Sequence, residues 1–171
     1  MIIQDTEHCK LCDNKEFEMM KGNFCGLTMN KPNFKTKCQS IILKNNFEEN
    51  IKDINIEYES ILKTKKEVFG HIITYLVASI FIFVIAYLIT IYLYDSGYVS
   101  TITLTLVALG FLPIGLAIGI FNNYNTKRRI SARKKEKLDF ISNLYNKPYQ
   151  IKINHLKDSL GNIEHEVDIK Y

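Results

Sequence analysis

Two long apolar segments dominate the pattern of hydrophobic and polar positions along the chain. They are GHIITYLVASIFIFVIAYLITIYLY at residues 70–94 and VSTITLTLVALGFLPIGLAIGIF at residues 99–121, and neither contains Asp, Glu, Lys or Arg. Each is longer than the roughly 20 residues that a helix needs to cross about 30 Å of hydrocarbon. Because lipid offers no partners for backbone amides, an open chain segment crosses it as a helix. The pattern predicts a transmembrane helical hairpin over residues 70–121, with Asp95–Tyr98 as its loop.

Amphipathic segments flank this hairpin on both sides. Residues 44–69 and 122–147 carry apolar residues at helical spacing, which predicts two further helices, the first capped by Asn45 or Asn46. The stripe positions are Phe47, Ile51, Ile54, Tyr58, Ile61, Lys65 and Val68 in the first segment and Ile130, Leu138, Ile141, Leu144 and Tyr145 in the second. We expect the helices to extend the hairpin into the cytoplasm and bury these stripes against each other. Contact between subunits is the alternative.

Residues 148–171 follow a different, alternating pattern, which predicts a β-hairpin whose loop is Ser159-Leu160-Gly161. The predicted register pairs Tyr149 with Tyr171, Ile151 with Ile169, Lys152 with Asp168, Ile153 with Val167 and His155 with His165. The histidine pair suits metal binding or pH sensing, but ordinary hydrogen bonding is the commoner role and the one we favour. Since two strands alone are marginal, we expect residues 1–42 to cover the apolar face and form one composite head with the hairpin.

Charge gives the orientation. The loop between the apolar segments has no Lys or Arg, whereas basic residues flank both segments on the other side. This distribution predicts an inner-membrane protein with two spans and both termini cytoplasmic, and the N-terminal residues lack the pattern of a signal peptide. We expect anionic lipid head groups to contact Lys127, Arg128, Arg129, Arg133, Lys134 and Lys135. Nucleic acid is disfavoured as a partner because this basic run has no interleaved aromatic residues.

The N-terminal segment contains all four cysteines, Cys9, Cys12, Cys25 and Cys38. A C-x-x-C turn places two thiolates on one side of a metal, and two more complete a tetrahedral site. In the reducing cytosol two structural disulfides are disfavoured. We therefore predict a structural zinc site, ahead of reduced or redox-active thiols, with an iron–sulfur cluster as a minor alternative.

The same segment resembles a short cysteine module, written C-x2-C…G-x2-C-G-L-T…P-x-F…C. The matching residues are Cys9, Cys12, Phe17, Gly22–Thr28, Pro32, Phe34 and Cys38. The module is similar to one in small membrane proteins of Bacteroidetes-type bacteria, and the likeness covers residues 9–40. The resemblance implies a metal-bound module and adds no reaction.

Within the second apolar segment, Gly115 and Gly119, together with Ala108 and Gly110, offer a surface of small residues for close helix packing. Packing against the first span and oligomerisation both account for it. No constellation of nucleophile and base, paired carboxylates or phosphate-binding loop is present in the sequence, so we do not expect an enzyme.

These patterns together predict a membrane α-helical protein with a small cytoplasmic head. The order is a cysteine module (1–43), a stalk helix (44–69), the transmembrane hairpin (70–121), a basic amphipathic stalk helix (122–147) and a β-hairpin (148–171). The function expected from this order is a scaffold, binding or sensing module displayed to a cytoplasmic protein or small ligand. The alternative is an oligomerising effector that permeabilises the membrane, as in small bacterial antiphage defence proteins; this likeness is one of architecture.

Overall fold

The chain is mostly helical in the computed structural model, which describes residues 5–20, 22–34, 36–93, 101–157 and 163–170. The helices are α1 (Asp5–Lys10), α2 (Asn45–Lys63), α3 (Lys65–Leu93) and α4 (Thr101–Leu144), and the strands are β1 (Lys15–Glu18), β2 (Gly22–Cys25), β3 (Gln150–Lys157) and β4 (Ile163–Lys170). The chain divides into a head unit, Met1–Glu59 with Ile130–Tyr171, and a hairpin unit, Ser60–Arg129.

The hairpin unit contains two helices that are long and apolar enough to cross a membrane. In the most apolar stretch of each helix only 11% of the residues are buried within the protein. Large apolar side chains such as Phe81 and Leu112 are therefore exposed. The backbone hydrogen bonds from Thr64 to Ser60 and from Val68 to Thr64 continue the helical pattern from α2 into α3. The predicted loop Asp95–Tyr98 lies outside the described residues.

Close packing within the hairpin unit occurs at Gly110 of α4. The Ser79 hydroxyl donates to the Gly110 carbonyl at 2.6 Å, and a Cβ added to Gly110 would meet the Phe83 ring at 2.5 Å. By contrast, a Cβ at Gly115 or Gly119 would meet nothing within 4 Å. Of the glycines in the predicted small-residue surface, Gly110 therefore lies close against α3, whereas Gly115 and Gly119 have open space around them.

The head unit is built on a cluster of six buried residues. They are Leu11, Leu43, Phe47, Ile51, Leu138 and Ile141. The stripes predicted for α2 and for the distal part of α4 thus supply four of the six members, whereas Ile130 is 48% exposed and does not continue the stripe.

The C-terminal strands pair antiparallel in the predicted register, from Gln150 opposite Lys170 to Lys157 opposite Ile163. His155 is opposite His165 along the backbone; their side chains, Tyr171 and the loop residues 158–162 lie outside the described part. Ile151 and Ile169 pack against the buried cluster of the head unit. The face of the hairpin is therefore covered chiefly by α2 and α4, with Leu11 and Leu43 as the contribution of the cysteine module, and not by that module alone as expected.

The ends of the long helices are satisfied by specific groups. The Asp13 carboxylate accepts the backbone N–H groups of Asn45 and Asn46 at 3.2 and 2.8 Å, so a distant residue caps α2 in place of the local asparagines expected. At the end of α4, Asn146 has φ of 53°. The Asn146 and Lys147 amides donate to the Asn143 and Ser142 carbonyls, which is the Schellman pattern that ends a helix.

Candidate metal centre

All four cysteines line one small cavity in the head unit. Cys9, Cys12, Cys25 and Cys38 share it with His8 and Phe24 among others, and its volume is about 10 Å³. That is about the smallest space that holds one water molecule. The four cysteines are not joined in disulfides. The cavity therefore has room for a single atom or ion.

The first two cysteines lie at the end of α1. The Cys12 amide donates to the Cys9 carbonyl at 3.2 Å, which closes the C-x-x-C turn. Leu11, between them, is 4% exposed and belongs to the buried cluster. The Ile42 amide also approaches the Cys12 sulfur at 3.5 Å. Burial of Leu11 thus fixes the turn, while the two flanking thiols line the cavity.

Cys25 ends β2 and begins a tight turn. The turn is closed by the Met29 amide, which donates to the Cys25 carbonyl at 2.8 Å. Burial raises the pKa of the Cys25 thiol, but hydrogen bonds from the Leu27 and Thr28 amides and from the Thr28 side chain outweigh it, so the pKa lies below its usual value. A lowered pKa favours the thiolate, which is the form that binds metals.

The absence of a side chain at Gly26 leaves room beside this turn for the Glu16 carboxylate and the Asn14 carbonyl. A Cβ at Gly26 would lie 2.6 Å from a carboxylate oxygen of Glu16. The Gly26 amide in turn donates to the Asn14 carbonyl at 2.8 Å. The turn after Cys25 is thereby fixed to the loop that follows Cys12.

Cys38 is held by a residue from the far end of the chain. Its backbone amide donates to the Tyr145 hydroxyl at 2.8 Å, and the same hydroxyl lies 3.0 Å from Nδ1 of His8. Burial raises the pKa of Tyr145; donation from the Cys38 amide lowers it, and negative charge on Cys38, Cys9 and Cys12 raises it further. The Tyr145 hydroxyl therefore lies within electrostatic reach of three of the four cysteines.

The donor set fits zinc in number and chemistry, because four thiolates are a common structural set for this ion. Within the described ranges, however, no three His, Cys, Asp or Glu side chains are already arranged as ligands of one ion. What the structure provides is a single small cavity lined by all four cysteines.

The other predicted site residues are distributed over both units. Lys134 forms an ion pair with Glu57 at 2.7 Å, and the Lys135 ammonium lies 5.1 Å from the centre of the Tyr58 ring. Both lysines thus contact α2 within the head unit. Lys127, Arg128 and Arg129 belong to the hairpin unit and Arg133 to the head unit, and all four are exposed.

Sequence reasoning missed the contributions of His8 and Tyr145 to this site. His8 is only 3% exposed and directly precedes Cys9, so adjacency was an available signal. Tyr145 was expected only as part of an apolar stripe. Its hydroxyl contact with Cys38 joins residues 107 positions apart, and no local pattern reveals such a contact.

No protein-family model, curated protein or solved structure matches this chain. The resemblance of the cysteine module to a bacterial membrane-protein module stays a prediction.

Proposed function

We propose that this is a two-span inner-membrane protein that displays a zinc-stabilised head in the cytoplasm as a scaffold or binding module. The observation that supports the proposal is that all four cysteines line one cavity of about 10 Å³. The two long apolar helices, whose side chains the protein leaves mostly uncovered, support the membrane assignment.

Zinc would supply stability that the cysteine module otherwise lacks. Its regular elements are one six-residue helix and two four-residue strands, and all four residues of β1 are exposed. Segments this small seldom fold by burial alone, and a bound metal contributes its binding free energy directly to folding. The proposal requires the four thiols to turn toward a common point when the ion binds.

The proposed role of the ion is structural. Four cysteine ligands complete the tetrahedral shell of zinc, so no position remains for a substrate or an activated water. The head would then act through its surface, by binding a cytoplasmic protein or small ligand. In the same proposal the basic run, Lys127, Arg128, Arg129, Arg133, Lys134 and Lys135, contacts anionic lipid at about 1 kcal/mol per residue.

Metal analysis of the full chain in detergent tests the zinc site. We expect about one zinc per chain in the wild type and loss of the metal in Cys25→Ser and Cys38→Ser. Ser40→Ala is the matched control because Ser40 lines the same cavity without being a predicted ligand. A wild type without metal, with all four cysteines reacting readily with a thiol reagent, would refute the zinc proposal.

A second candidate function, the membrane-permeabilising effector, is favoured by the open surfaces of Gly115 and Gly119. An unfilled small-residue surface on a lipid-facing helix suits association with another copy. Expression in bacteria should then collapse the membrane potential, and Gly115→Leu should restore it. Gly70→Leu, at another glycine with open space around it, should not. If expression of the wild type leaves the membrane potential intact, the effector function is refuted and the scaffold remains the proposed function.

A further inference from the structure

The Tyr145 hydroxyl joins the cysteine module to the end of α4. Tyr145 directly follows α4, which ends at Leu144. The hydroxyl accepts the Cys38 amide at 2.8 Å and is 3.0 Å from Nδ1 of His8. The Tyr145 and His8 rings also meet edge to face, with centroids 5.7 Å apart.

A phenol can make both hydrogen bonds at once. A tyrosine hydroxyl donates one proton and accepts through its lone pairs. One lone pair accepts the Cys38 amide, and the hydroxyl can either donate its proton to Nδ1 of His8 or accept from it, according to the tautomer of His8. One hydroxyl thus holds the backbone of a predicted ligand and the side chain adjacent to Cys9, another predicted ligand.

Cys38 depends on such a tertiary contact because its surroundings are irregular. Residues 36–43 form neither helix nor strand. Tyr145, in contrast, is anchored by the Schellman turn at the end of α4 and packs against the buried cluster of the head unit. The hydrogen bond therefore connects an irregular segment to a well-anchored one.

We propose that Tyr145 is a positioning residue for the metal site, and that metal binding at the four cysteines latches the cysteine module onto the end of α4. This inference rests on the proposed zinc site. Mutating a group that holds a metal ligand without touching the metal typically lowers the metal affinity about 10–100-fold. The contact between Tyr145 and the cysteine module is the latch. Because the two equilibria are linked, bound metal strengthens this latch by the same factor by which the latch raises metal affinity.

The test uses the full-length protein in detergent, titrated with Co²⁺ and followed by the visible absorption of thiolate-bound cobalt. Tyr145→Phe keeps the ring and removes only the hydroxyl, and we expect it to bind Co²⁺ about 10–100-fold more weakly than the wild type. Tyr149→Phe is the matched control, because the Tyr149 hydroxyl is also hydrogen-bonded within the head, but to Asp139 of α4 and Asn55 of α2. It should leave the Co²⁺ affinity unchanged.

Hydrogen exchange at the Cys38 amide gives a second readout. In the wild type, Zn²⁺ should slow the exchange of this amide strongly, since the ion and the Tyr145 hydroxyl hold the segment together. In Tyr145→Phe the ion should slow it much less. A residue with a merely structural role would change the exchange equally with and without metal.

The outcomes separate the latch from the metal site itself. Equal Co²⁺ affinity of the wild type and Tyr145→Phe would overturn the latch and leave the zinc site intact. Equal loss of affinity in Tyr145→Phe and Tyr149→Phe would also overturn it, because the effect would then come from general destabilisation. A wild type that binds no Co²⁺ would overturn both.

Discussion

At the scale of single residues, Tyr149 shows how a polar group is accommodated beneath the C-terminal hairpin. Its hydroxyl donates to Asp139 and accepts from Asn55. Burial raises the pKa of Tyr149, donation from Asn55 lowers it, and the neighbouring Asp139 raises it further, leaving it above its usual value. The neutral phenol is therefore the form that the network requires.

Removing the Tyr149 hydroxyl should destabilise the head. We expect Tyr149→Phe to lower the free energy of unfolding by about 1–3 kcal/mol, because Asp139 and Asn55 lose a hydrogen-bond partner in a partly buried place. Tyr58→Phe is the control, since Tyr58 contacts Lys135 through its ring. Denaturation of the full chain in detergent measures both variants. An equally large loss of unfolding free energy in Tyr58→Phe would show that the hydrogen bonds of the Tyr149 hydroxyl are not the cause.

Glu7 should give the head a defined acid sensitivity. Burial raises the pKa of Glu7, but the charges and hydrogen bonds of Lys10 and Lys137 outweigh it, and the pKa lies below its ordinary value of 4.5. A carboxyl with a lowered folded-state pKa stabilises the protein above its unfolded-state pKa and loses this effect as the pH falls through the folded-state value.

Glu7→Gln should therefore cost about 0.5 kcal/mol at neutral pH, and the difference from the wild type should shrink as the pH falls below about 4.5. Stability of the wild type and the variant, measured between pH 3 and 7, checks this. A Glu7→Gln effect that stays constant over this range would show that the ion pairs are not its cause.

At the scale of elements, the cap of α2 is the contact that fixes the C-x-x-C turn to the helical core. Asp13 follows Cys12 directly, and its carboxylate accepts two amides at the start of α2. In addition, the Asn46 side chain donates to the Cys12 carbonyl at 3.0 Å. The position of the second cysteine thus depends on a helix that begins at Asn45.

Asp13→Ala should cost about 1 kcal/mol, the usual contribution of a helix cap, and should also weaken metal binding because the Cys12 turn is loosened. Asp53→Ala, at an exposed position within α2, is the matched control and should leave metal binding unchanged. Circular dichroism and Co²⁺ titration of the same preparations give the two quantities. Unchanged metal affinity in Asp13→Ala would show that metal binding does not depend on the cap of α2.

The elements also show which features a single sequence can predict. The register of β3 and β4 was predictable, because alternation of apolar residues sets the pairing once the turn is placed. The buried positions Phe47, Ile51, Leu138 and Ile141 were predictable from the helical spacing of apolar residues. The cap from Asp13 was not predictable, since it joins residues that are close only in the folded chain.

The short elements of the cysteine module were missed for a different reason. β1 and β2 are four residues each, too short for an alternation to stand out from chance. All four residues of β1 are exposed, so the strand carries no apolar face that a sequence pattern could reveal. The spacing of the cysteines predicts a four-thiolate site, and all four line one cavity; the hairpin between Cys12 and Cys25 had no comparable signal.

At the scale of the whole molecule, the packing of the hairpin unit is predicted to depend on Gly110. Gly110→Leu should disrupt the α3–α4 contact, because its Cβ would meet the Phe83 ring at 2.5 Å and the approach of Ser79 would be lost. Gly119→Leu, with open space around it, should be tolerated. Thermal unfolding of the two variants in detergent compares them directly. Equal tolerance would contradict the close approach at Gly110.

The orientation of the chain decides which chemistry its cysteines meet. If both termini are cytoplasmic, as the distribution of Lys and Arg predicts, the four thiols lie in a reducing compartment, where metal binding is favoured over disulfides. A membrane-impermeant thiol reagent applied to intact cells should then label a Ser96→Cys variant and leave the wild-type cysteines unlabelled. Lysing the cells of a Cys25-only variant, in which the other three cysteines are replaced by serine, should expose its thiol to the reagent. Labelling of the Cys25-only variant in intact cells, with no labelling of Ser96→Cys, would reverse the orientation, and the wild-type cysteines would then be expected to pair as disulfides.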